Sequence, residues 1–341
     1  MNEIWRKYTA AVHMPFAGAL LVAVAFLSFI AWDQSHWWSA KDDYGFGWLV
    51  PAFVGFVIHD RWSRITAAAA ACVAPGSPRV SGLMGGLLTT AAYASLGFGG
   101  LMFLAGAFQR AGAGSSYPGT LAITLGAVGV LLPWLFLNTP DSPQPLKGAK
   151  FSGDARVRLV AWFLFPVLVW MVSAPMVDAV ERRLSLFLLM KVTSVVFFTF
   201  DLLGLQIEQQ GNVLVLPKGS VGVAEACSGI RSLTACLFAG SFLASVFLDK
   251  LWKKITLVAM AMMFAVLTNL LRSLFLTSWA YNYGPEAIEG NVHDIAGYAV
   301  LGLTVAGLLC LLPLFNLSFT FSDNEPLEDE DSGDAASKPG A

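Results

Sequence analysis

Three side chains in the second half of the chain could together carry out acyl transfer: Cys227, Arg272 and His293. Cys227 follows a short segment typical of a β-strand and precedes a long apolar helix, whose unpaired N–H groups favour a thiolate. Arg272 and His293 lie on either side of the next turn between apolar helices. A thiolate nucleophile, a proton donor or acceptor and a cation that stabilises an oxyanion are the groups that catalysis through a thioester requires.

The composition places these residues in a membrane protein. The 341 residues are 56% hydrophobic and 13% charged, whereas soluble domains are about 25% charged. Apolar runs near the roughly 20 residues that cross a bilayer recur along the chain. The net charge of -2 and the lack of a basic patch give no indication of nucleic-acid binding. No pattern predicts a metal site or a cofactor.

The four cysteines do not form a disulfide framework. Cys236 and Cys310 fall inside apolar helices, and Cys72 falls in a predicted cytoplasmic loop. Only Cys227 has a position in which a thiolate could act. At the N-terminus, no small-residue cleavage site follows the first apolar run, so residues 16–32 are expected to be a retained span rather than a removed signal.

Eight spans are predicted from the apolar runs. They are residues 16–32, 46–59, 83–108, 118–137, 157–176, 228–248, 255–278 and 295–315.

Cations near the span ends predict the orientation. The loops at residues 61–81, 138–156 and 249–254 carry the most Lys and Arg, and such loops face the cytoplasm. The chain then leaves and returns through the spans on either side of residues 184–203, so this apolar stretch cannot also cross. It is predicted to be an amphipathic lateral helix on the outer leaflet, because Lys191, Ser194 and Asp201 fall within about 80° of each other at helical spacing. Both termini are predicted to be cytoplasmic.

Residues 213–223 alternate in the manner of strands around a turn at Pro217 to Gly219, which predicts a small β-hairpin on the outer surface. The fold class is therefore an all-α polytopic membrane protein with about eight transmembrane helices, this hairpin and the lateral helix. Residues 1–322 form the membrane domain. Residues 323–341 contain seven acidic residues and one lysine and are expected to be a disordered cytoplasmic tail.

This topology brings the three reactive residues to one face. Cys227 begins an inward span, and His293 precedes another. Arg272 lies 17 residues into the outward span that starts at residue 255, about 26 Å along it. Asn269 lies one turn deeper. Glu225 and Asp294 are candidates for orienting His293 or Arg231, and the sequence leaves open which one does so.

At these positions the chain resembles the exosortase/archaeosortase family of membrane transpeptidases. The resemblance runs through residues 225–232, 269–272 and His293, and upstream through residues 211–217. Residues 44–51 resemble an early outer-face motif of the family, except that a histidine would be expected where Phe46 or Gly47 stands.

The resemblance implies that Cys227, Arg272 and His293 form a catalytic triad. It implies substrates that are exported proteins with a C-terminal sorting tail, composed of a short motif, a transmembrane helix and a basic end (the PEP-CTERM type). The enzyme would cut before the helix at the outer face of the bacterial inner membrane, in systems often linked to exopolysaccharide production.

Two other classes of function stay open. A transporter needs polar groups deep in several spans, and residues 83–108 and 118–137 contain few. A non-catalytic membrane component of an exopolysaccharide export system would not require the three reactive residues.

Overall fold

The computed structural model describes residues 13–222, 230–248, 250–288 and 290–316. Within these residues the chain forms ten α-helices, α1 to α10. In chain order they are Met14–Ala40, Leu49–Asp60, Trp62–Val73, Gly82–Ala113, Tyr117–Leu137, Ala155–Ser173, Asp178–Leu202, Ile230–Phe247, Leu251–Tyr283 and Asn291–Asn316. Short 3-10 helices lie at Asp42–Trp48, Phe151–Gly153 and Pro285–Ile288. The predicted tail from residue 323 lies outside the described residues.

The strands form two small sheets. β1 (Pro78–Arg79) pairs in parallel with β2 (Leu146–Lys147). β3 (Glu208–Gln210), β4 (Val213–Leu216) and β5 (Gly219–Gly222) form an antiparallel sheet in the order β3-β4-β5. β4 and β5 confirm the predicted hairpin, with Leu216 opposite Gly219. The third strand, β3, was not predicted.

Eight helices of the described chain are long and apolar enough to cross a membrane. This number agrees with the prediction, but the set differs at two places. α7 meets the criteria of length and composition, although the sequence predicts that it does not cross. The 12-residue α2, which contains most of the predicted span 46–59, is too short to meet them.

Contacts at its two ends show how α2 runs. Just before it, the backbone carbonyl of Asp43 accepts a hydrogen bond from Thr234, in the first turns of α8. Just after it, Arg61 donates to Ser245, near the end of α8. Thr234 and Ser245 are about 16 Å apart along α8 at 1.5 Å per residue. The chain from Asp43 to Arg61 therefore follows α8 through most of the bundle, because the 3-10 helix lengthens α2.

Both ends of α7, in contrast, contact one end of the bundle. Near its start, Glu181 accepts a hydrogen bond from Lys41, which directly follows α1. Near its end, the ring of Phe200 contacts Tyr281, close to the C-terminus of α9. We call this end of the bundle, at which α1 and α9 finish and α8 and α10 begin, the site end. Both ends of α7 therefore lie at the site end, and between them Val192 lines a gap with Asn269 of α9, so α7 runs beside the C-terminal half of α9.

The buried face of α7 fits this position. Leu189, Val192, Val196 and Phe200 recur at helical spacing and pack against β4, β5 and the last turns of α9. The polar residues Lys191, Ser194 and Asp201 are exposed. The same hydrophobic cluster includes Ala296 of α10. It therefore joins the lateral helix, the sheet and the helices that carry Arg272 and His293.

The opposite end of the bundle is organised around Asp154, which caps α6 and is fully buried. Its carboxylate accepts hydrogen bonds from the Val80 backbone and from the Arg156 guanidinium. Burial alone would raise the pKa of Asp154, but the hydrogen bonds from Arg156 and Val80 outweigh it and hold the pKa below 3.8. Arg79 lies close to the same carboxylate, so the loops predicted to be cytoplasmic meet at this end.

Candidate active site

Arg272 and His293 are in direct contact at the site end. Nη2 of Arg272 lies 2.9 Å from Nε2 of His293 and donates to the His293 backbone carbonyl at 3.3 Å. Arg272 lies on α9 and His293 in the first turn of α10. α9 is 33 residues long and continues for about 16 Å beyond Arg272. The guanidinium is therefore held near the start of the neighbouring helices rather than at a free helix end.

The direction of this hydrogen bond determines the state of the imidazole. A guanidinium can only donate, so Nε2 must accept, and the ring is then the neutral tautomer with its proton on Nδ1. Oδ1 of Asp294 lies 3.6 Å from Nδ1, on the side of the ring that carries this proton. The sequence left open two acids as partners of His293, and one of them, Asp294, lies where it can orient the imidazole ring.

The Nε–H donor of Arg272 is buried and has no hydrogen-bond partner within the described part of the chain. Gly297 of α10 faces the guanidinium, and a Cβ at Gly297 would lie 3.6 Å from Nη2. A small residue thus leaves the backbone of α10 close to the cation. An unpaired buried N–H costs about 1 to 3 kcal/mol, so a ligand with an acceptor oxygen would be stabilised here.

Asn269 connects this pair to the start of α8. It is buried one turn before Arg272, and it lines a small gap together with Leu233 of α8 and two residues of α7. The first turns of α8 therefore pack beside the segment of α9 that carries Arg272. Cys227 and Glu225, which precede α8 in sequence, lie outside the described residues.

Arg231 forms an ion pair with Asp43, with Nε 3.3 Å from Oδ1. Asp43 was not identified from the sequence, although its position just before the motif at residues 44–51 was a usable signal. The carbonyl of the same residue accepts the hydrogen bond from Thr234. Asp43 thus contacts the first turn of α8 through both its side chain and its backbone.

The motif at residues 44–51 is built into the core. The Tyr44 hydroxyl accepts a hydrogen bond from the Met176 backbone at 2.9 Å, and Phe46 stacks on Phe238. At Gly47, a Cβ would lie 2.2 Å from Nε1 of Trp38. A histidine cannot occupy position 47 unless Trp38 moves, which gives a physical reason for this departure from the family pattern.

The three cysteines in the described residues differ in accessibility. Cys72 lies inside α3 and not in a loop as predicted, and burial raises its pKa to about 11. Cys236 is buried within α8, and Cys310 is exposed on α10. A buried thiol whose pKa is raised is a poor nucleophile.

The fold and the Arg272–His293 pair define a multi-pass membrane protein with a polar site at one end of its helix bundle. Residues 37–310, most of the chain, match the family model described as transmembrane exosortase (Exosortase_EpsH). The chain belongs to this family, which supports a transpeptidase-like role in the membrane. No curated protein and no solved structure matches the chain.

Proposed function

We propose that the chain is a membrane-embedded cysteine transpeptidase or protease in which Cys227, Arg272 and His293 act together. The observation that carries this proposal is the 2.9 Å contact between Arg272 and His293 beside the helix that follows Cys227. α8 begins at Ile230, three residues after Cys227 in the sequence, and Leu233 in its first turn lines the same gap as Asn269 of α9. A catalytic cysteine in this position would be within reach of both partners.

The hydrogen bond between Arg272 and His293 suggests the order of events. In the free enzyme the guanidinium occupies Nε2, the nitrogen at which the neutral ring would accept a proton. When a substrate carbonyl binds at the guanidinium, the Nη2 donor turns to the carbonyl oxygen and Nε2 becomes available. The Cys227 thiol then transfers its proton to Nε2 as the thiolate attacks the carbonyl carbon.

The remaining steps use the same groups. Arg272 stabilises the oxyanion through Nη2 and the unpaired Nε. When the C–N bond breaks, Nε2 returns its proton to the leaving amine, and the acyl group remains on Cys227 as a thioester. Water or an acceptor amine then attacks the thioester, gives its proton to His293 and releases the thiolate. Asp294 beside Nδ1 orients the ring throughout.

The family resemblance provides the substrate class, which is exported proteins with a C-terminal sorting tail of the kind described above. The cations of the predicted cytoplasmic loops lie at the end of the bundle opposite to the site end. By the positive-inside rule, this distribution supports an active site on the outer face of the bacterial inner membrane. A helix-anchored substrate would then present its scissile bond at the level of Arg272.

The experiment that tests this function compares cysteine variants in cells that express a tagged substrate with a sorting tail. Cys227→Ala is expected to insert normally and to stop tail cleavage. Cys236→Ala and Cys310→Ala are the matched controls and are expected to retain processing, because neither thiol has a catalytic role. Normal cleavage by Cys227→Ala would rule out the thioester mechanism.

A further inference from the structure

A large cavity lies away from the candidate active site. Its volume is about 1040 Å³, and it is half enclosed by α3, α6, α8 and α9. Along α6 its lining extends from Ala155 to Val172, about 26 Å at 1.5 Å per residue. The cavity therefore follows most of the length of a membrane helix.

Charge is distributed unevenly along this cavity. Its four lining cations are Arg61, Arg64, Arg158 and Lys254. They come from three separate parts of the bundle, and all lie at the end opposite to the site end. The guanidinium carbons of Arg61 and Arg64 lie 5.6 and 5.7 Å from the centroid of the Trp162 ring.

The cavity changes character beyond Trp162. From there to Val172 its wall on α6 is formed by apolar residues such as Leu164 and Leu168. These ten residues extend for about 15 Å, which is half of the roughly 30 Å hydrocarbon core of a bilayer. The cavity thus has cations at its mouth and an apolar channel as deep as one leaflet of the bilayer. These features match the headgroup and the acyl chains of a phospholipid.

Arg61 gives the mouth a fixed polar anchor. It is 7% exposed, and its guanidinium donates to Oγ of Ser245, another residue of the lining, at 2.9 Å. Arg64 and Arg158 are exposed, one on α3 and one on α6. Cations between transmembrane helices at the cytoplasmic side are typical binding groups for anionic headgroups.

We propose that this cavity binds one anionic phospholipid, with its phosphate at Arg61, Arg64, Arg158 and Lys254 and its acyl chains along α6. In the orientation proposed above, the headgroup belongs to the cytoplasmic leaflet. A transmembrane helix of the substrate fits less well, because the apolar wall beyond Trp162 extends for about 15 Å, half the length of a 20-residue helix. The basic end of a sorting tail would also be repelled by the four cations.

The test measures the lipid retained by the full-length protein, purified in mild detergent, by native mass spectrometry. We expect about one retained phosphatidylglycerol per chain, and weaker retention of added zwitterionic phosphatidylethanolamine. In the double variant Arg64→Gln/Arg158→Gln, affinity is expected to fall about 25-fold, since each cation near an anionic headgroup contributes about fivefold. The control Lys147→Gln/Lys150→Gln removes the same charge from exposed residues outside the cavity and should bind like the wild type.

A second pair of variants tests the apolar part independently of charge. Ala161→Trp places a ring in the cavity and is expected to reduce retention of the lipid at least tenfold. Ala91→Trp, at an exposed position of α4 outside the cavity, should have no effect. Three outcomes would overturn the proposal: equal lipid retention in all variants, equal loss in the Lys147/Lys150 control, or equal binding of both lipids. Thermal stabilisation by inorganic phosphate alone to the same extent, or crosslinking of the substrate helix inside the cavity, would also overturn it.

Discussion

Replacing Arg272 by lysine separates a catalytic arginine from a membrane anchor. An anchor needs only a positive charge that reaches the headgroups, so lysine would serve equally well. In the structure, however, Nη2 of Arg272 contacts both Nε2 and the carbonyl of His293, while Nε is buried without a partner among the described residues. A single ammonium on a different stem cannot place donors at all of these positions.

The expected size of the effect follows from these contacts. The ammonium can retain one hydrogen bond to His293, so the variant should fold and insert with a stability loss below about 3 kcal/mol. The loss of one oxyanion donor costs about 2.7 to 4 kcal/mol in the transition state, or roughly a hundred- to a thousandfold in processing rate. The substrate KM should change little, because the lost interaction forms mainly in the transition state.

The assay is single-turnover cleavage of a substrate with a sorting tail in proteoliposomes, with the amount of inserted enzyme measured in parallel. Arg182→Lys is the matched control, because Arg182 is a largely exposed arginine at the site end that pairs with Asp178 one turn before it. It should cleave at the wild-type rate. Cleavage by Arg272→Lys within about threefold of wild type would refute the reasoning and assign Arg272 to the membrane.

Three further predictions address positioning, stability and topology. Asp43→Asn removes the charge that faces Arg231 and should slow processing about ten- to a hundredfold, because the start of α8 would be misplaced. Asp43→Glu should restore the rate. An unchanged rate in Asp43→Asn would show that the ion pair has no role in positioning α8 for catalysis. Asp154→Ala removes the cap of α6 and leaves the Val80 N–H unpaired, so the free energy of unfolding in detergent should fall by roughly 2 to 5 kcal/mol. Because the pKa of Asp154 is lowered in the folded protein, the stability that its carboxylate provides should be complete above pH 3.8 and be lost as the pH falls through the lowered pKa. Equal acid sensitivity of the wild type and Asp154→Ala would contradict this. Cysteines introduced at Ser220 and Lys250 should be labelled from opposite sides of the membrane, and labelling of both from one side would contradict the topology.

The approach of Arg272 and His293 could be predicted from the sequence, because it depends on local information. Apolar run lengths and loop cations set the direction of each helix, and the rise per residue then sets the depth of Arg272. The position of α7 at the site end was predicted for the same reason, since the direction of the neighbouring spans excluded a further crossing. The hairpin at β4 and β5 was visible in the alternation of its residues and in its turn.

Features that depend on contacts between distant segments could not be predicted in this way. Asp43 and Arg231 are 188 residues apart, and no periodicity in either segment indicates that they meet. Trp38 fills the space beside Gly47, and this contact likewise depends on how distant segments pack together. α9 extends beyond the predicted span at both ends, because its last turns are covered by the sheet and α7 rather than by lipid. The cavity along α6 is lined by residues of four helices, so no single segment of the sequence indicates it.

Acylation of Cys227 by the substrate can be detected directly by intact-mass and peptide mass spectrometry of the enzyme after acid quenching with substrate. We expect an adduct with the mass of the substrate fragment upstream of the cleavage site, located on the peptide that contains Cys227 and removed by hydroxylamine. The adduct should be absent from Cys227→Ala and from wild-type enzyme incubated with a substrate that lacks the sorting tail. Cleavage of the substrate with no adduct on Cys227, or with an adduct on Cys310 instead, would contradict the account.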